Sequence, residues 1–309
     1  MTNEASQGEA TQDAEQTLCV SYPFDWQGID DFSYQTDTEG LPKVDWAHNI
    51  GLRYSPITIA QFGLYHLRQH VKNQSEESLQ KAFKCAHWLA SNSQRWRDDM
   101  WAWIYDYDLY FYGPRAPWIS AMAQGEGISL LLRAYQLNQN EKWLDITRCA
   151  IRVFFHPVPQ GGVAASFPDG GLAFEEFPTE PASLVLNGNM FAMLGLHDYA
   201  RFWQDKAASE LFDRAVEGLK GNLHRYDTGY WNLYDLHPTN RLASPMYIEV
   251  HVRLLNILAT LTAEPTFERM AAKWKRYPAS PVSRIRWLFR KSWEKFRLRD
   301  YSRSFWREK

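Results

Sequence analysis

The chain has 309 residues, 45% apolar and 23% charged, with 14 Trp, 16 Tyr and 17 Phe. That is enough to bury a sizeable core and excludes wholesale disorder. A net charge of −2 excludes a chain-wide basic field for nucleic acid, and no apolar run reaches the roughly 18–20 residues of a membrane span.

Residues 1–45 read as an acidic, partly disordered segment. The first 40 carry nine Asp or Glu and no Lys or Arg. Their polar start is unlike a secretory leader, which makes a cytoplasmic setting the expectation. Cys19, Cys85 and Cys149 lie far apart in no CxxC spacing, so they are expected as reduced thiols rather than a disulfide frame or zinc site.

Residues 46–277 read as one domain of paired helices. First members are expected at 56–72, 119–137, 183–203 and 244–262, their starts 63, 64 and 61 residues apart. Second members are expected at 75–92, 140–155, 206–223 and 264–276. A fixed period of this kind marks a stacked or closed array of like units. Second members open on acidic and capping residues (Ser75-Glu76-Glu77, Asn140-Glu141, Glu264-Pro265) and keep one wet face, as outer helices do. First members such as ISAMAQGEGISLLL and SLVLNGNMFAMLGL are apolar nearly all round, as helices enclosed by protein are. The fold class is therefore mainly α, an (α/α) barrel or toroid of about four helix pairs.

The connections leading back into inner helices are long and aromatic. WAWIYDYDLYFYG (101–113) alternates like a strand; 161–178 holds two short strands about Asp169-Gly170-Gly171; 226–238 looks like a hairpin turning at Asp227-Thr228-Gly229. These short hairpins gather over one end of the barrel, where function usually resides. Gln61, Gln124, Asn187 and His251 recur at separations of 63, 63 and 64 residues. In a ring of inner helices they share one level, so a common polar cavity is expected, against the plainer reading of four separately satisfied buried groups. Aromatic loops over a polar cavity suit sugar rings, although Trp and Tyr also plug small barrels.

Familiar signatures for phosphate, dinucleotide, serine nucleophile or metal are missing, so neither cofactor nor metal is expected. What remains near the expected cavity is a set of carboxylates and phenols: Glu175, Glu176, Tyr226, Tyr230, Tyr234, Tyr247 and Glu249, with His251. Paired carboxylates suggest glycoside hydrolysis, whereas phenols beside a carboxylate suggest proton abstraction from carbon.

FEEFPTEPASLVLNGNMFAMLGLHDY (174–199) followed by YDTGYWNLYDL (226–236), with PWISAMAQGEGISLLLRAY (117–135) and SPITIAQFGLYHL (55–67), resembles the D-glucuronyl C5-epimerase family. The resemblance implies a barrel of four helix pairs and inversion of D-glucuronate to L-iduronate within a glucuronate-containing, glycosaminoglycan-like polysaccharide. It also implies a Glu-Tyr pair and two later tyrosines as acid/base groups. The Glu matches Glu176 and the later tyrosines match Tyr234 and Tyr247, but Phe177 stands in place of the pair's Tyr. The animal pattern DYHTTH is here MYIEVH, and His237 stands where animal members have Arg. The β-rich domain of the animal members has no counterpart beyond residues 93–118, so its metal sites are not carried over.

These readings make Glu176 and Tyr247 the catalytic pair, assisted by Tyr234. Asn187, Gln124, His251 and Glu175 are read as substrate-binding, with Trp118 as a sugar platform and His237, Arg241 or Arg133 as partner of the substrate carboxylate. Alternatives are a uronate lyase, which needs one base and one acid, and a barrel that binds acidic glycan without turning it over.

Residues 278–309 form a basic amphipathic tail, and 273–309 carry a net charge of +10. In 284–306, Ile285, Leu288, Phe289 and Phe296 share one helical face. That face is expected to pack on the acidic body, with contact to an anionic membrane surface as the alternative. A homodimer is compatible with the sequence, and nucleic acid is not an expected partner.

Overall fold

The computed structural model describes residues 18–46, 50–109 and 111–307, with side chains to residue 298. Four inner helices of 18 residues each, α1 (Pro56–Asn73), α3 (Ala121–Asn138), α5 (Leu186–Trp203) and α7 (Pro245–Thr262), alternate with outer helices α2 (Glu76–Asn92), α4 (Glu141–Ala150), α6 (Lys206–Asn222) and α8 (Pro265–Lys275). The fold is the expected (α/α) barrel of four helix pairs. In each pair a left-handed residue ends the inner helix and the next residue caps the outer one: Gln74-Ser75, Gln139-Asn140, Gln204-Asp205 and Ala263-Glu264. The repeat is thus a repeat of one two-residue turn, which reverses the chain while satisfying helix-end groups.

At the opposite end short antiparallel strands precede α1 and lie in the α2–α3 and α4–α5 connections, whereas the α6–α7 connection, expected as a hairpin, pairs only at the isolated bridges Asp227–Asn232 and Leu233–Leu242. β1 (Gln35–Thr36), β2 (Pro42–Trp46) and β3 (Gly51–Arg53) make one sheet; β4 (Gln94–Arg97) pairs with β5 (Met100–Ala102), β6 (Ile104–Tyr105) with β7 (Trp118–Ile119), and β8 (Ala164–Ser166) with β9 (Leu172–Phe174). The hairpin expected about Asp169-Gly170-Gly171 is β8–β9. The alternating segment 101–113 breaks at Trp103 and again after Tyr105, so it is not one strand; Trp103, Tyr105, Tyr107 and Tyr112 are buried while Trp101 is exposed, and Tyr110 lies outside the described residues.

Two glycines let two inner helices approach closely. A Cβ on Gly195 would stand 2.2 Å from the Gly125 backbone, so α3 and α5 touch main chain to main chain. Between them Arg133 is spent on Asp198, at 2.5 Å and 3.1 Å, with Ser129 also donating to Asp198. This removes Arg133 from the candidates for a substrate carboxylate.

The acidic segment splits. Residues 1–17 lie outside the described residues, whereas Tyr22, Phe24 and Trp26 are buried in the core. Arg68 of α1 donates to Ser21, the Tyr22 carbonyl and Asp25, and Arg253 of α7 donates to the carbonyls of Asp25 and Gln27. The segment is therefore held from both sides by the first and last inner helices and completes the wall between them. Burial of each of its large rings is worth about 2 kcal/mol.

The last helix, α9 (Pro281–Arg307), packs on the 239–243 loop. Trp287 donates to the Ala243 carbonyl, Lys291 to the Leu242 carbonyl, and Glu294 accepts the Leu242 amide. The expectation that its apolar face packs inward is wrong: Ile285, Leu288, Phe289 and Phe296 are exposed. The contacting face is instead the one bearing Trp287, Lys291 and Glu294, because those long polar groups satisfy the loop's backbone. Among the described residues no helix is long and apolar enough to cross a membrane.

Candidate functional site

The strand-bearing end opens into a two-lobed cleft. The first lobe, about 320 Å³, lies between the 24–34 segment, the first turns of α1, α5 and α7, and the β9–α5 loop. The second, about 430 Å³, lies against Phe111, Tyr112, Tyr234, Arg241 and Lys291. Trp46, Phe177 and Tyr247 line both lobes and divide them.

Glu176 lines the first lobe from the loop after β9. Its carboxyl lies against the first turn of α5, where a Cβ on Gly188 would stand 2.4 Å from Oε2, and that oxygen is buried without a hydrogen-bond partner. Burial, then the charges of Glu175 and Asp235, push its pKa up to about 8. Near neutral pH this carboxyl therefore holds its proton most of the time and can release it, as an acid/base group must.

Tyr247 stands in the first turn of α7, which Ser244 caps by accepting the Tyr247 amide. Its ring meets that of Tyr234 edge to face at 4.6 Å. Burial and then Glu176 raise the Tyr247 pKa, while a hydrogen bond from Tyr234 and the charge of Arg241 oppose the rise. Tyr234 is raised well above the ordinary phenol value by burial, Glu176 and Tyr247. Tyr247 is thus the phenol of the pair that ionises first, with Tyr234 as its donor.

Of the residues expected to bind substrate, Asn187 and Trp118 line the first lobe. Asn187 keeps an unpartnered buried Oδ1. Trp118 is stacked on Tyr105 at 4.1 Å and donates to the Tyr107 carbonyl, so one face of the platform is already covered. Arg241 lines the second lobe, paired with Asp235 at 2.8 Å and lying over the rings of Phe111, Tyr112 and Tyr234. Asp235 also accepts from the Tyr112 hydroxyl, itself a partner of Arg241.

The other expectations fall outside the cleft. Gln124 is turned to the main chain of Trp103, bonding its amide and carbonyl at 3.4 Å and 3.1 Å. Glu175 accepts the Ser183 and Leu184 amides and the Ser183 hydroxyl, fixing the approach to α5. His237 bonds Thr239 and packs against Tyr112. His251 lies behind the tyrosine pair, 2.5 Å from Asn232, its pKa lowered to about 3 by burial. The shared polar level is therefore half real: Gln61 and Asn187 reach the cavity, Gln124 and His251 do not.

The structure adds residues that helical pattern could not find. Asp30 and Tyr34 line the first lobe, and Tyr34 donates to Asp30 at 2.8 Å. Gln61 donates to Glu126 at 3.0 Å, a fully buried carboxyl whose pKa is raised well above normal by burial. Among the described residues no Lys or Arg lines the first lobe, while Arg241 and Lys291 line the second. Among the described residues no group of His, Cys, Asp and Glu could hold a metal ion.

Phenols beside a neutral-poised carboxyl can move a proton on and off carbon. The chain also matches a known family by sequence. Residues 97–276 match the family described as D-glucuronyl C5-epimerase C-terminus. The chain is 30% identical over 232 residues to a D-glucuronyl C5-epimerase of Caenorhabditis elegans, covering 68% of this chain and 37% of that one. It is 26% identical over 178 residues to an uncharacterised protein of Methanocaldococcus jannaschii, covering 56% of each. Two solved structures, a Listeria innocua protein and the unsaturated glucuronyl hydrolase of Bacillus sp. GL1, each match over 72% of this chain and 57% and 60% of theirs. Their TM-scores are 0.47 and 0.46, at 11% and 16% identity. The match to more than half of its length shows that the chain belongs to the D-glucuronyl C5-epimerase family, through that family's C-terminal region.

Proposed function

We propose that the chain inverts C5 of D-glucuronate residues in a polysaccharide, giving L-iduronate. The observation that carries this reading is Glu176, poised near neutrality with an unpartnered oxygen, beside the lobe-dividing phenol Tyr247. The C5 hydrogen is weakly acidic because its removal leaves charge that the adjoining carboxyl can share. In the productive form Glu176 is ionised and Tyr247 carries its proton. Glu176 takes the C5 hydrogen, and Tyr247 returns a proton from the opposite face, becoming a phenolate held by Tyr234 and the field of Arg241. Solvent exchange then restores both groups. Arg241 and Lys291, at the second lobe, supply the positive field for the uronate carboxylate, Asn187 binds sugar hydroxyls, and the aromatic walls take the sugar's C–H faces.

Phe177 carries no hydroxyl and is stacked on Tyr112 at 5.0 Å. With that hydroxyl missing from the family's Glu-Tyr pair, a second reading is β-elimination, in which Glu176 takes the same C5 hydrogen and Tyr247 protonates the group departing from C4. A panel of glucuronate polymers incubated with the protein in deuterated water separates the outcomes. Iduronate bearing deuterium at C5 supports epimerisation. An unsaturated product absorbing in the ultraviolet supports elimination, and binding with neither change leaves a glycan-binding protein.

A further inference from the structure

We propose that the outward face of α9 docks the protein on an anionic lipid bilayer. At 100° per residue, Trp287, Lys291 and Glu294 share the side that packs on the 239–243 loop, while Val282, Ile285, Phe289, Trp293 and Phe296 form a stripe on the other. All five are more than half exposed, Phe289 and Phe296 at 76% each, and Leu288 extends the stripe at 56%. Arg286 and Arg290 border one edge of it and Arg284 and Lys295 the other, while Arg297 turns to the loop and donates to the Thr239 carbonyl. Such a ridge, apolar along its crest and basic on both flanks, matches the headgroup region: rings enter the acyl boundary while guanidinium groups meet phosphates.

The charge pattern selects the occupant. Residues 273–309 carry +10, so laying two stripes together in a symmetric dimer would crowd like charges along both edges. An acidic surface on another copy would answer the charge but must also offer an apolar trough. The other exposed large apolar side chains among the described residues, such as Leu52, Val71, Trp101, Leu137 and Phe155, come from separate elements. A bilayer supplies both the negative charge and the apolar depth. Because Lys291 of α9 lines the second lobe, docking by this helix brings that end of the cleft close to the membrane plane.

The test is flotation of the full chain with vesicles of phosphatidylcholine, alone or mixed with phosphatidylglycerol. The expected result is at least about tenfold greater recovery with the mixed vesicles, weakened by salt. In the doubly substituted F289Q/F296Q chain that recovery should fall about tenfold or more, with an unchanged helical circular-dichroism spectrum. Failure to float, equal flotation on the neutral vesicles, or flotation undiminished in the double variant would overturn the proposal. So would a lipid-free dimer of the parent chain that the same double variant dissolves, which would make a second copy the occupant.

Discussion

Tyr234 and Tyr247 meet edge to face with ring centroids 4.6 Å apart, and the first lends a hydrogen bond to the second. This contact joins the 226–238 loop to the first turn of α7 and makes one of two half-buried phenols the better acid. Tyr234→Phe removes the donor and leaves the ring. Proton return to C5 should slow by about 10–100-fold, with KM nearly unchanged, read as kcat on a glucuronate polymer.

The raised pKa of Glu176 has a pH signature in both rate and stability. If Glu176 must be ionised to take the C5 hydrogen, kcat/KM for glucuronate should rise about tenfold per pH unit and level off above an apparent pKa near 8. For stability the sign is opposite. The folded state keeps a proton that the unfolded chain loses near pH 4.5, so this group's contribution is whole below that value and is lost as pH rises to about 8. Glu176→Gln should therefore match the parent at pH 4 and exceed it at pH 9, by on the order of 3 kcal/mol, measured as a shift in urea midpoint.

Gly188 leaves room for the carboxyl. In Gly188→Ala the new methyl would meet Glu176 Oε2 at 2.4 Å and its Cβ at 2.5 Å, so either the loop or the helix start must move. Alanine is favoured over glycine within a helix by about 1 kcal/mol, against about 1–3 kcal/mol for overpacking. Melting temperature should change little or fall, while activity falls more than tenfold, because an acid/base group displaced by an ångström is out of reach.

Phe24 is fully buried, meets Phe191 of α5 at 4.9 Å, and lines the first lobe. Phe24→Ala should destabilise the fold by about 3–5 kcal/mol, measured by denaturant titration. A much smaller loss would show that the 18–34 segment is not part of the wall between α1 and α7.

The helix pairs were legible because amphipathic and fully apolar helices differ in pattern, and capping residues mark where the outer ones begin. That Glu176, Tyr234, Tyr247, Asn187 and Arg241 line one cleft follows the expectation drawn from resemblance and from polar residues in otherwise apolar stretches. Register alone misjudged Gln124 and His251. A buried amide turns toward the nearest unsatisfied backbone, here Trp103, and sequence spacing does not reveal where that backbone lies. Glu175 and Glu176 are adjacent and chemically alike, yet Ser183 and Leu184 occupy one and leave the other partly unpartnered. Asp30 and Tyr34 escaped notice because they lie in an aperiodic acidic stretch whose packing depends on Arg68 and Arg253 from distant helices.

The most direct measurement is hydrogen exchange at C5 of a glucuronate polymer in deuterated water, followed by nuclear magnetic resonance, comparing the parent chain with Tyr247→Phe. The parent should incorporate deuterium and form iduronate, and the variant, folded and binding the same polymer, should form no iduronate. Equal exchange and equal iduronate from both chains would contradict the assignment of Tyr247 and the two-sided proton transfer built on it.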